Sequence, residues 1–163
     1  MSPAMVKKTP STTVAYLSAN GPYSQIGAAM GQLLAAMRET GLEPVGPPSG
    51  VYFNSPKEVP PEELRWEIRC PVADTTPQAL PDQRGVAVKS VAEVEVVADI
   101  HRGPYQEVER TYQALYYWIE AKGYAIVGPP EEVYLSNPDA TPPQDLLTEI
   151  RIPVKRVRDL VTP

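Results

Sequence analysis

The chain contains most of itself twice. Displaced by 82 positions, residues 21–72 fall on residues 103–154 without a gap, and 20 of those 52 positions are identical. Gly21-Pro22-Tyr23 returns as Gly103-Pro104-Tyr105, and Gly46-Pro47-Pro48 as Gly128-Pro129-Pro130. Glu67-Ile68-Arg69 with Pro71-Val72 returns as Glu149-Ile150-Arg151 with Pro153-Val154. Turns and one charged strand are kept while the helix surfaces diverge. Solenoid repeats are about 20–50 residues long, so a longer displacement points instead to two supersecondary modules related by a pseudo-two-fold axis. The groove between two such halves is a natural place for a ligand.

Local periodicity fills in each module. Val86, Val88, Val94, Val96, Ala98 and Ile100 alternate with polar residues, which predicts a hairpin with one buried face; residues 4–18, broken at Thr9-Pro10-Ser11, predict its counterpart. Helices are expected from near Pro22 and Pro104, where a missing amide proton costs nothing, to the C-capping Gly41 and Gly123. Their apolar stripes are Tyr23, Ile26, Met30, Leu33, Leu34 and Met37, and Tyr105, Val108, Tyr112, Leu115, Tyr116 and Ile119. A strand centred on Tyr52 or Tyr134, a proline-rich loop and a final strand (64–72 or 146–154) complete each copy.

The expected fold is therefore α+β: duplicated strand-helix-strand-strand modules with pseudo-two-fold symmetry, antiparallel sheets and a ligand groove between the halves. The expected organisation is one domain over 1–163, with a first module at 4–72, a polar linker at 73–85 and a second module at 86–154. A chain of 163 residues buries a core without disulfides, and the lone Cys70 reads as a small core residue. No apolar run approaches the ~20 residues needed to cross a bilayer, and MSPAMVKKTP lacks a signal peptide's apolar segment, so a cytoplasmic chain with no membrane partner is expected. The net charge of -5, with no basic run beyond Lys155-Arg156 and Arg158, argues against direct nucleic-acid binding.

Alternation also assigns side chains to faces. In WEIRCPV and TEIRIPV, Glu67 with Arg69 and Glu149 with Arg151 oppose the apolar residues, so both glutamates should point away from the helices. Placing Val51 and Phe53, or Val133 and Leu135, on the helix side sends Tyr52 and Tyr134 to the side of the glutamates. Two readings stand side by side. In one, the glutamates pair with Arg69 and Arg151 as solvated strand charges. In the other, two carboxylates and two tyrosines form walls for a planar or cationic ligand. His101, on the face of Asp99, could reach the mouth of that groove, and Trp118 flanks its helix stripe. One histidine makes no metal site, and no Ser-His-Asp set, phosphate loop or dinucleotide fingerprint is present, so no metal and no cofactor is expected.

The run HRGPY, helix, GPP, VYLSNP, TPPQDLLTEIRIPV, with a degenerate copy before it, resembles the GyrI-like small-molecule-binding superfamily across about residues 4–157. That family includes effector-binding domains of AraC-type and MerR-type multidrug regulators. The resemblance implies a groove centred on Glu149, with Glu67, Tyr52, Tyr134, Trp118 and His101 as further ligand-binding candidates. It implies binding of hydrophobic, aromatic or cationic xenobiotics. It leaves open two alternatives: hydrolysis of cyclopropanoid DNA-alkylating toxins with Glu149 as base and a tyrosine such as Tyr134 as donor, and a protein-interaction role like that of a gyrase inhibitor. The family's regulators carry a helix-turn-helix domain, which is not expected in this sequence.

Overall fold

A computed structural model describes residues 4–160, and its elements follow the two periodicities of the sequence. The strands are β1 (Met5–Thr9), β2 (Thr12–Asn20), β3 (Ser49–Tyr52), β4 (Arg65–Val72), β5 (Val86–Val91), β6 (Val94–Arg102), β7 (Tyr124–Ile126), β8 (Glu131–Tyr134) and β9 (Leu147–Arg156). The helices are α1 (Ile26–Thr40), α2 (Val108–Ala121) and the short α3 (Val157–Leu160). The fold is α+β with antiparallel pairing.

Both long helices begin as a single 3-10 turn behind the proline, Tyr23–Gln25 and Tyr105–Glu107, before the α-helix proper. Both stop at a glycine with positive φ, 77° at Gly41 and 78° at Gly123. There a Cβ would be strained, and the Leu42 amide bonds back to the Met37 carbonyl at 2.8 Å to close the first of these ends. Leu33 and Met37 of α1, and Leu115 and Ile119 of α2, are buried as the stripes require, whereas Tyr116 is exposed. β7 escaped the sequence reading because it is three residues long; its counterpart in the first copy holds Pro44, which has no amide proton to give a ladder.

The chain resolves into two compact units. One, the N-unit, is Pro10–Glu93; the other, the C-unit, takes the residues up to Thr9 together with those from Val94 onward. In the N-unit the strand order is β3-β4-β2-β5, and in the C-unit β1-β6-β9-β8 with β7 also on β9. The expected hairpins are therefore corrected. β1 does not pair with β2 but with β6, in register Lys7 to Val96, and β5 does not pair with β6 but with β2, in register Lys89 to Val14. Since 7 + 82 = 89 and 14 + 82 = 96, these pairings are the same one made reciprocally. Each repeat donates its first strand to the sheet of the other, so the compact units are cut at Thr9 and Glu93 rather than within 73–85.

Each unit packs one sheet face under its own helix. In the N-unit, Leu33 and Met37 cover Trp66, Ile68 and Cys70; in the C-unit, Leu115 and Ile119 cover Val97, Ile150 and Ile152. Cys70 is a buried core thiol, pushed up to about 11 by desolvation, which removes it from nucleophilic chemistry at neutral pH. One pair of positions was exchanged in size after duplication. Ala19 lies across the ladder from Trp66, whose indole donates to the Gly21 carbonyl at 2.9 Å. At the equivalent place His101 lies across from Thr148, and its imidazole bonds to the Pro104 carbonyl at 3.0 Å. A small and a large residue became a large and a small one, and both versions tie the strand to the helix start.

The exchange of first strands predicts which fragments fold. Residues 10–93 carry a complete four-stranded N-unit sheet, whereas 1–85 lacks β5 and leaves β2 with an open edge. Trp66 is the only tryptophan in either fragment. Urea titration followed by its fluorescence is expected to give a cooperative transition for 10–93 and none for 1–85; equal behaviour would contradict the exchange.

Candidate functional site

The glutamates of the last strands point away from the helices, as alternation requires, and each is neutralised twice. Lys7 Nζ lies 3.0 and 2.9 Å from the two carboxylate oxygens of Glu149, and Arg151 Nε donates to Oε1 at 2.5 Å. Lys89 Nζ lies 2.9 and 2.8 Å from the oxygens of Glu67, Arg69 Nε donates to Oε2 at 2.5 Å, and Ser18 Oγ adds a bond at 3.3 Å. The lysine of each triad comes with the donated strand. Burial alone would raise both carboxyls, but the hydrogen bonds and charges of the paired cations outweigh it, and both sit below the usual carboxylate range. Both are held ionised and compensated.

The tyrosines are not beside them. Cross-strand partners share a face, and the register sets Tyr52 opposite Trp66 and Tyr134 opposite Thr148, on the helix side. Val51 and Val133 are the residues opposite Glu67 and Glu149. The expected facing of these short strands is therefore corrected: it requires Phe53 and Leu135 in the core. Both are exposed, and Val51 and Val133 are buried on the other side. A four-residue strand covered on both faces carries no alternation to read.

Correcting the register turns one unnoticed residue inward. Glu132 lies across from Ile150, on the face that α2 covers. Tyr112 Oη donates to its Oε2 at 2.7 Å, and Tyr134, two positions along the strand, also hydrogen-bonds its carboxylate. The ring of Tyr105 meets that of Tyr134 edge to face at 5.7 Å, and Tyr116 lies 5.9 Å from Tyr112. Among the described residues neither a lysine nor an arginine pairs with Glu132. Burial therefore dominates and pushes the carboxyl up, against the two phenol hydrogen bonds; Tyr105 is pushed up in turn by burial and by the charge of Glu132. The signal was present in the sequence: Glu131-Glu132 on a strand must send one carboxylate to each face.

The duplication shows what is special here. The edge-to-face pair recurs in the N-unit as Tyr23 and Tyr52, 5.3 Å apart, but the position of Glu132 is Gly50 and that of Tyr112 is Met30. Only the second copy combines the aromatic wall with an acid.

Two other candidates fall elsewhere. His101 is buried, with Nε2 on the Pro104 carbonyl and Nδ1 2.8 Å from Thr111 Oγ1. A carbonyl only accepts, so Nε2 donates to it, and Nδ1 pairs with the threonine hydroxyl. Both ring nitrogens are spent on the strand-helix corner. Trp118 stacks on Tyr124 at 6.0 Å, and Arg156 lies 5.0 Å from the far ring, which caps the end of the C-unit core. Among the described residues no group of His, Cys, Asp or Glu could hold a metal ion, and no helix is long and apolar enough to cross a membrane.

The sequence profile of the GyrI-like small molecule binding domain matches residues 2–155. No curated protein sequence matches the chain. Among solved structures, the C-terminal domain of EcmrR superposes with a TM-score of 0.82 at 23% identity, over 96% of this chain and 99% of that one. The chain spans 58% of the length of EcmrR as seen in its DNA complex, with a TM-score of 0.83 and 20% identity. A hydrolase from Listeria innocua gives 0.72 at 17% identity over 93% of this chain and 91% of that one. SAV2435 bound to tetraphenylphosphonium gives 0.63 at 13% identity, over 96% of each chain. At these identities the likeness is one of fold.

The opposite shifts of the glutamates predict opposite pH responses. In the unfolded chain all three lose their protons near the ordinary value of 4.5. Folded Glu132 keeps its proton to higher pH, so the folded state binds more protons there and stability falls as pH rises from about 4.5 through its raised value. Glu67 and Glu149 stabilise above 4.5, and that contribution is lost as pH falls through their lowered values. In urea denaturation, Glu132→Gln is expected to gain stability over wild type as pH rises from 4.5 through the raised value of Glu132, whereas a difference that is constant across that rise would contradict the shift.

Proposed function

The chain belongs to the GyrI-like family of small-molecule-binding domains, and from that premise we propose that it binds flat, hydrophobic, preferably cationic organic molecules at Glu132. The observation that carries the reading is a partly buried carboxylate set among Tyr105, Tyr112 and Tyr134 with no cation of its own. A lipophilic cation would supply the missing charge and meet aromatic faces, and each such contact contributes on the order of 1–2 kcal/mol when desolvated. Glu149 and Glu67 are the weaker candidates, because a cationic ligand would have to displace a lysine or an arginine that already holds the carboxylate. The tetraphenylphosphonium complex of SAV2435 supports the choice of ligand class. Because Gly50 and Met30 replace the acid and the phenol in the first copy, one ligand per chain is expected.

A second reading, hydrolysis of strained electrophiles such as cyclopropanoid alkylating toxins, draws on one feature. A carboxyl raised by burial above the ordinary carboxylate value, beside two phenol donors, can serve as base while a hydroxyl steadies developing negative charge. Ring-opened product from a cyclopropanoid substrate, lost in Glu132→Gln, would raise this reading above simple binding.

Titration with tetraphenylphosphonium, followed by tryptophan fluorescence, tests the binding site. Wild type should saturate at one equivalent, Glu132→Gln should bind about tenfold or more weakly, and Glu149→Gln should bind within about twofold of wild type. Loss in Glu149→Gln with none in Glu132→Gln would move the site to the other face.

A further inference from the structure

The exchange of first strands leaves the two units with unequal edges. β5 ends the N-unit sheet, and its outer side is covered: Val88 and Ala79 exchange both backbone hydrogen bonds, at 3.0 and 3.1 Å, and the Asp82 amide donates to the Val86 carbonyl at 2.9 Å. The same ladder holds β1. Val6 lies opposite Val97 as Val88 lies opposite Ala15, since 6 + 82 = 88 and 15 + 82 = 97. Backbone groups along a strand serve its two sides by turns. The Val6 amide and carbonyl therefore face away from β6, as those of Val88 face away from β2, and those of Ala4 and Lys8 follow with a period of two. β1 ends the C-unit sheet, and among the described residues no segment stands to it as 79–82 stands to β5. No hydrogen bond among those residues reaches the outer side of Val6 or Lys8, and Met5 beside them is 56% exposed.

We infer that β1 pairs antiparallel with β1 of a second copy of this chain, centred on Val6, so that one sheet runs through two C-units. In that register Val6 faces Val6 of the second copy, Lys8 faces Ala4 and Lys7 faces Met5. Every outward amide and carbonyl of Val6 and Lys8 then meets its complement, as Val88 meets Ala79 in the N-unit. Lysines on an edge strand oppose pairing when like charges face each other, and here no lysine faces another. Lys7 is already neutralised by Glu149, and its aliphatic stem covers the exposed Met5 of the second copy. One patch meeting itself is the contact of a two-fold dimer. The pairing uses none of the residues around Glu132 and stands or falls independently of the cation reading.

Sedimentation equilibrium of the full chain tests it, with hydrogen exchange at the Val6 and Lys8 amides as a second readout. A contact this small is weak, so wild type should pass from monomer to dimer between about 1 and 500 µM, and both amides should gain protection over the same range. Lys8→Pro removes an outward amide that the ladder to β6 does not use, and should weaken the dimer about tenfold or more. Lys8→Ala keeps the amide and should dimerise like wild type. Should Lys8→Pro fail to fold, the concentration dependence of the wild-type amides decides alone. A wild type that stays monomeric, amide protection that does not change with concentration, or a dimer that survives Lys8→Pro or is lost in Lys8→Ala overturns the pairing.

Discussion

A lysine donated by one repeat to the glutamate of the other is the contact on which the arrangement of this protein turns. Lys7 rides on β1 into the C-unit and Lys89 rides on β5 into the N-unit, and each lands on a carboxylate that would otherwise be costly to bury. Side-chain exposures of 14% at Glu149 and 4% at Glu67 mean that removing the lysine would leave a charge with half its compensation in a poorly hydrated place. The donated strand and the ion pair therefore support each other: the ladder positions the lysine, and the lysine fixes the register of the ladder.

With those carboxylates committed, the proposed ligand chemistry falls on the other side of the C-unit sheet. Glu132 differs from Glu149 in what surrounds it rather than in what it is: phenols in place of ammonium and guanidinium. Two hydrogen bonds solvate its charge without cancelling it, which is the condition under which an incoming cation gains the most. Duplication made that specialisation possible. The first copy has Trp66 filling the space beside Ala19 and a Gly50 that makes no demand for charge; the second has Thr148, His101 and Glu132 at the same positions.

Much of this was legible in the sequence, and the parts that were not share a cause. The repeat gave the α+β class, the helices with their glycine ends, and the outward facing of Glu67 and Glu149, because each rests on a pattern longer than one turn or several strand residues. Strand exchange was invisible: Thr9-Pro10-Ser11 reads equally well as a tight turn or as a crossing, and only partner choice separates them. The facing of Tyr52 and Tyr134 was hidden because the hydrophobicity of Phe53 and Leu135 does not imply burial: an exposed apolar residue is common. Glu132 was lost with them, although its neighbour Glu131 already implied that one of the two must turn inward.

The proposed role of Glu132, a partly buried carboxylate that takes a cation, is measured by carbon-13 NMR of the glutamate carboxyls titrated against pH. The resonance assigned to Glu132 is expected to titrate above the ordinary 4.5, and the midpoint should fall when tetraphenylphosphonium is added, because a cation favours the ionised form. A midpoint at or below 4.5 that the cation does not move would contradict the claim.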